Sequence, residues 1–162
     1  MGDGNCLFRS ISFIINGHED GHQHIRKLLA EFVHLNPQIF QCLVWTGSVE
    51  DHVSDMRVDG IWGTQVELAA AATYFQVPLF TYTPHPQTQH YNWVCFKPLP
   101  GKLIYPDIGN GDDNMHRITL SHIELCNTSG IHYDCVLSVN NTFPTECPQL
   151  MGEHENINID IN

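Results

Sequence analysis

The chain has 162 residues, 42% of them hydrophobic, with eight Phe, five Tyr and three Trp, enough for one compact domain around an apolar core. Asp and Glu outnumber Lys and Arg by 18 to 7, a formal charge of -11. That balance argues against binding along a phosphate backbone and leaves either a partner with a basic surface or plain solubility. No apolar run reaches the about 20 residues a membrane-spanning helix needs, and no basic stretch followed by an apolar one opens the chain.

The expected location is therefore the cytoplasm or nucleus, with no nucleic acid and no membrane among the partners, and the chain is expected to be a monomer. Cys6, Cys42, Cys95, Cys126, Cys135 and Cys147 are scattered with no CxxC pair, the pattern of reduced thiols rather than of a disulfide framework. The sequons at Asn127 and Asn140 carry no consequence for a chain that is not secreted.

In chain order, a glycine-rich turn, Gly2-Asp3-Gly4-Asn5, leads into Cys6, after which Leu7, Phe8, Ile11, Ile14 and Ile15 recur at helical spacing. Residues 17–21 read as a loop. A second amphipathic helix follows, with Ile25, Leu28, Leu29, Phe32 and Val33 on one face, and Asn36-Pro37 ends it. A third helix is expected over 39–44, and the polar stretch 46–56 leads to a further short one. A turn over 60–63 precedes Thr64-Gln65-Val66-Glu67, a capping box opening a helix that runs through Tyr74. Its alanines, 69–72, favour close packing against a sheet.

The pattern then changes to strands, expected over 77–82, 92–96, 103–105, 117–120 and 132–139, with surface loops over 84–89 and 107–114. From Thr142 onward the chain is polar and Asn-rich with two prolines, and reads as a frayed tail. Helices first and a sheet afterwards give an α+β domain.

Two features carry chemistry. A cysteine attacks carbonyls as its thiolate, so the protein must favour that form. A helix N-terminus at Cys6 would do so through its unpaired N–H groups and dipole, as would a nearby imidazolium. Gly2 and Gly4 permit backbone geometries that turn amides toward the sulfur, where they would also hold the oxyanion of a tetrahedral intermediate. The second feature is His132-Tyr133-Asp134-Cys135. On a strand, His132 and Asp134 share one face, so the carboxylate can orient and stabilise the imidazole, while Tyr133 and Cys135 face the other way. His18, His22 and His24 also cluster, but in a loop without further ligands. They are better read as solvated than as a metal site.

Together these residues resemble an ovarian-tumour (OTU) cysteine peptidase. The family opens with Asp-Gly-Asn-Cys-Leu-Phe-Arg, here residues 3–9. Its middle signature, Trp-Gly before a capped helix, is similar to residues 59–68, and its closing His-Tyr matches His132-Tyr133. The resemblance spans residues 2–139 and implies a papain-like α+β fold, with helices around a small central mixed sheet. It also implies a deubiquitinase that hydrolyses isopeptide bonds at the ubiquitin C-terminus without a cofactor or metal.

Carried over by residue, Cys6 is the nucleophile, His132 the general base, and Asp134 the group that orients the imidazole. Gly4 and Asn5 belong to the oxyanion loop. Asp3 either orders that loop or assists the histidine. Trp62 and Tyr133 are expected to be structural or to line the substrate channel, a core aromatic packing near the site being favoured for Trp62 over substrate contact, and a narrow channel is expected beside Trp62 and His132. The peptidase domain is expected over 1–140, shortened at its N-terminus relative to the family, with a flexible tail over 141–162. The alternative is an OTU-like module that binds ubiquitin without cutting it.

Overall fold

A computed structural model describes residues 2–85, 87, 90–107, 120–128, 132–139 and 159–161. Among them, helices α1 (Cys6–Asn16), α2 (His22–Leu35), α3 (Pro37–Phe40), α4 (Val49–Met56) and α5 (Gln65–Phe75) come first, with a 3-10 turn, Gln41–Leu43, behind α3. Strands β1 (Leu79–Pro84), β2 (Tyr91–Phe96), β3 (Ile123–Thr128), β4 (His132–Val139) and β5 (Ile159–Ile161) form a mixed sheet in the order β2-β1-β3-β4-β5. β1 and β3 run parallel, and the other neighbours antiparallel. This is the expected α+β architecture.

α1 buries Leu7, Phe8 and Ile11 completely and ends on Gly17, whose φ of 77° is the left-handed cap that glycine adopts without strain. α2 buries Ile25, Leu28, Leu29, Phe32 and Val33 against its neighbours. α5 is different: every residue from Val66 to Phe75 is buried, the mark of a helix enclosed on all sides rather than amphipathic. Its four alanines let flanking elements approach closely. Phe32 meets Phe40 and Tyr74 edge-on at 5.8 and 5.3 Å, tying α2, α3 and α5 into one aromatic cluster.

The capping box at the start of α5 is present as expected: Thr64 and Glu67 satisfy each other's backbone and side-chain groups. Ser48 and Asp51 form a second box at the start of α4. Glu67 is buried, and its other oxygen meets His52 Nε2 at 2.7 Å, joining α4 to α5. This partner raises the His52 pKa above its ordinary value, against the opposing effect of burial.

The structure departs from the sequence expectation in several places. The third helix begins at Pro37 and tightens into a 3-10 turn instead of running over 39–44. Residues 103–105 form no strand. The buried Asn36 side chain takes the place of a partner strand, donating to Ile104 O at 2.7 Å and accepting from Ile104 N–H at 2.8 Å. Strand β3, at the centre of the sheet, was not expected. His22 and His24 belong to the first turn of α2, not to a loop. The strand expected over 117–120 and the loop over 107–114 lie largely outside the described residues. So does the tail, except for β5, which pairs with β4.

Candidate active site

The amide of Tyr133, on β4, donates to Cys6 Sγ at 3.4 Å across 127 residues of sequence. One helical turn beyond Cys6, the Ser10 hydroxyl donates to Tyr133 O at 3.0 Å. Residues four apart on a helix share a face, so α1 grips both backbone polar groups of the same β4 residue. That grip brings the thiol to the start of β4, where His132 and Asp134 flank Tyr133. His132 Nε2 lies 3.2 Å from Asp134 Oδ1, the pairing expected from their spacing on one strand face. The thiol is buried, whereas the imidazole is exposed at 42% and the carboxylate partly so.

The sequence led us to expect a thiol made acidic by the mouth of α1. The balance is otherwise: burial pushes the Cys6 thiol above its ordinary value, and the N–H groups of Tyr133 and Leu7 only partly oppose this. The carboxylates of Asp134 and Asp3 push it further up. Desolvation of an anion outweighs two hydrogen bonds here, so a thiolate at Cys6 needs a positive partner.

The loop before the thiol is built from unusual contacts. Gly4 has φ 76°, and a Cβ there would fall 1.7 Å from Gly60 O, so its backbone packs directly on the Gly60 turn. Only glycine fits such an approach. Asp3 Oδ1 accepts the Asn5 N–H at 3.0 Å, while Asp3 Oδ2 accepts from Arg9 at 2.7 Å. Arg9 holds the Asp3 carboxyl down at about 2. Asp3 therefore orders the loop, and its oxygens face Asn5 and Arg9. Among the described residues no side chain caps α1, and the Leu7 N–H at its mouth turns to the Cys6 sulfur instead.

Arg26 is the residue that sequence reading missed. It is buried, and its guanidinium donates to Asn5 Oδ1 (3.2 Å from Nε, 2.7 Å from Nη2), Gly4 O (2.9 Å), Ile61 O (2.7 Å) and Met56 O (3.3 Å). The Phe8 ring lies 4.0 Å from its carbon. A signal was available, since 26, 29 and 33 share helical spacing and a cation on that apolar stripe must have buried partners.

Trp62 is not the core aromatic that was expected. It is 40% exposed, and its ring covers Gly2, where a Cβ would lie 2.7 Å from Trp62 Cη2. Gly63 behind it packs on Leu7 so closely that a Cβ would come within 2.5 Å of Cδ2. Tyr133 is half-buried, and burial raises its phenol against a hydrogen bond with Asn127. Among the described residues, no group of three His, Cys, Asp or Glu side chains could hold a metal ion, and Cys6, Cys42 and Cys126 form no disulfide.

The chain is similar to known proteins in sequence and in fold. The family model described as OTU-like cysteine protease matches residues 1–99, which includes the Cys6 loop and the Trp62 turn but stops short of β4. "OVARIAN TUMOR DOMAIN-containing deubiquitinating enzyme 9" of Arabidopsis thaliana is 33% identical over 87 residues, covering 54% of this chain and 25% of that protein. "Ubiquitin thioesterase otu2" of Schizosaccharomyces pombe is 30% identical over 89 residues, 49% of this chain and 30% of that protein. The matches thus span less than a third of either relative's length.

Among solved structures, the OTUD1 OTU domain superposes with a TM-score of 0.62 at 22% identity, covering 83% of this chain and 80% of that one. An OTU deubiquitinase from Wolbachia pipientis wMel, solved bound to ubiquitin, has a TM-score of 0.58 at 18% identity, covering 85% and 91%. These likenesses extend the papain-like OTU fold beyond residue 99, over most of the chain. The chain belongs to the OTU-like cysteine protease family.

Proposed function

We propose that this chain is a thiol-dependent deubiquitinase that hydrolyses isopeptide bonds at the ubiquitin C-terminus through Cys6, His132 and Asp134. The observation that supports the reading most is the Tyr133 N–H on Cys6 Sγ, because Tyr133 is the β4 residue between His132 and Asp134, which meet each other at 3.2 Å. Ubiquitin as partner is supported by OTU relatives solved in complex with it, from Hazara virus and Wolbachia. The protein would act where ubiquitin conjugates occur, in the cytoplasm or nucleus.

Asp134 engages Nε2 of His132, which leaves Nδ1 as the nitrogen to face the sulfur. Proton transfer from Cys6 to Nδ1 creates a thiolate and an imidazolium, the cation that a buried sulfur requires. Asp134 stabilises that cation and holds the ring in one tautomer. The thiolate then attacks the terminal carbonyl of ubiquitin, and the oxyanion forms near the N–H groups at the mouth of α1. When the intermediate collapses, the carbon–nitrogen bond breaks and His132 returns its proton to the leaving lysine amine. A thioester remains. His132 next takes a proton from water, whose hydroxide attacks the thioester and releases the ubiquitin carboxylate and the Cys6 thiolate.

The second reading, a ubiquitin-binding module without turnover, is favoured by one observation: burial raises the Cys6 thiol. Turnover of a ubiquitin C-terminal fluorogenic amide separates the two. The enzyme reading requires cleavage by the wild-type chain and its loss in Cys6→Ala with the fold retained. Cleavage by Cys6→Ala, or none by the wild type, refutes it.

A further inference from the structure

Among the described residues, the five hydrogen bonds of Arg26, a buried cation, all run to amide-type oxygens, none to a carboxylate. Burying a charge without a directly bonded counter-ion is costly; four carbonyl-type acceptors, one aromatic ring and the more distant charges of Asp59, Glu67 and Asp3 oppose that cost here. Those acceptors come from three separate places. Gly4 and Asn5 precede the thiol, Ile61 lies in the turn that carries Trp62, and Met56 ends α4. A planar guanidinium with a fork of donors can hold such a set at fixed angles, which a point-charge ammonium cannot.

The Gly4 carbonyl deserves closer geometry. In a trans peptide the C=O and the following N–H point in opposite directions. Since Gly4 O is turned inward to Arg26 at 2.9 Å, the Asn5 N–H of the same peptide is turned outward. On that outward side it already holds an anionic oxygen, Asp3 Oδ1 at 3.0 Å. Gly4 lacks a side chain and has φ 76°, so nothing of its own prevents this plane from rotating. Arg26 on its carbonyl, Asp3 on its N–H and the abutting Gly60 backbone fix it, and of these only Arg26 also ties it to the Trp62 turn through Ile61 O.

We propose that Arg26 is a positioning residue for the reaction, locking the Gly4–Asn5 peptide and the Trp62 turn in one register so that loop amides stay turned toward the acyl oxygen. The inference rests on the reading of Cys6 as the nucleophile of a deubiquitinase. It assigns to the guanidinium fork, rather than to its charge, the orientation of the loop in the transition state. Arg26 itself touches neither the sulfur nor the substrate.

The test compares wild-type chain with Arg26→Lys, which keeps the charge and loses the fork. The substrate is a ubiquitin C-terminal fluorogenic amide, and active sites are counted by iodoacetamide labelling of Cys6. Iodoacetamide alkylates the sulfur without forming an oxyanion, so its rate reports a folded, accessible thiol independently of the loop. The expected result is a kcat per labelled site lower by about 10- to 100-fold, the scale of a lost oxyanion donor, with KM changed by less than about threefold. The labelling rate should stay within about threefold of wild type, since positioning of the loop leaves thiolate nucleophilicity intact.

Wild-type kcat per labelled site in Arg26→Lys overturns the proposal, as does a loss that appears only in KM. Should Arg26→Lys fail to fold, Asn5→Ala removes the acceptor of two of the five bonds and leaves Arg26 its other three. It should show the same kcat-selective loss, and an unchanged kcat there overturns the proposal equally. A wild-type chain that labels at Cys6 but shows no turnover sinks the deubiquitinase reading, and the role of Arg26 with it. Turnover in the wild type with no kcat loss in either variant sinks the role of Arg26 alone.

Discussion

Ser10 donates its hydroxyl to the Tyr133 carbonyl at 3.0 Å, one turn along α1 from the Cys6 sulfur that accepts the Tyr133 amide. The helix that carries Cys6 is thereby bolted to the strand that carries His132 and Asp134. Because both bonds fall on one β4 residue, a shift of β4 along α1 would break both together. Ser10→Ala leaves the Tyr133 carbonyl without its partner in a part-buried place. It should lower stability by about 1–3 kcal/mol in urea unfolding and reduce turnover per folded molecule. Unaltered turnover would separate the Ser10 bond from the alignment of the site.

Asp134 and Asp3 differ in what they can do to the imidazole. Asp134 meets His132 Nε2 at 3.2 Å, whereas Asp3 faces Arg9 and the Asn5 amide. Asp134→Asn removes the carboxylate that meets the His132 ring and is expected to lower kcat/KM by about tenfold or more. Asp3→Asn leaves the His132–Asp134 pair intact and weakens only the loop, so its loss should be smaller. Rates and melting temperatures of the two variants check both expectations; a larger rate loss in Asp3→Asn than in Asp134→Asn would exchange the two roles.

Gly4 and Gly17 have nearly the same backbone, φ 76° and 77°, but different surroundings. A Cβ on Gly4 would strike Gly60 O, whereas one on Gly17 would meet nothing within 4 Å. Gly17→Ala should therefore cost only the left-handed strain, about 1–2 kcal/mol, with activity retained. Gly4→Ala must push two backbones apart, and is expected to abolish turnover and to destabilise the chain more. Thermal melts and turnover of the two variants make the comparison.

The His52–Glu67 pair predicts a pH dependence of stability. The folded-state pKa of His52 is raised above the ordinary 6.5 by its hydrogen bond to Glu67. A raised value means the folded chain binds the proton more tightly. The added stability is then fully present below 6.5 and is lost as pH rises through the folded value. The melting temperature of wild type minus that of His52→Gln should be largest near about pH 5.5 and shrink toward about pH 9. A difference that grows with pH would contradict the pairing.

What the sequence revealed and what it concealed divide along a physical line. The turn into α1, the box at Thr64 and Glu67, and the His132–Asp134 spacing are local patterns, each specified within about ten residues, and local geometry suffices to read them. Arg26 was concealed because its acceptors lie from 21 to 35 residues away in sequence. The segment at Ile104 has the residues of a strand, but its partner is the side chain of Asn36, 68 residues distant, rather than a strand. Strand β3 buries Ile123 and Leu125 but also the adjacent Cys126 and Asn127, so burial does not alternate along it, and the polar Glu124 and Asn127 among apolar neighbours blurred the pattern. Trp62 shows a different failure: a large aromatic suggests burial, yet Gly2 offers only a flat backbone for its ring and leaves the other face in solvent.

Central to the proposed activity is Cys6 as the group that meets the ubiquitin carbonyl. Ubiquitin bearing a thiol-trapping electrophile at its C-terminus tests this directly, read by intact mass and peptide mapping. The predicted result is a single adduct one ubiquitin heavier, mapped to Cys6, absent in Cys6→Ala and slower in His132→Ala. No adduct with the wild-type chain, or an adduct at Cys42 or another cysteine that persists in Cys6→Ala, would contradict it.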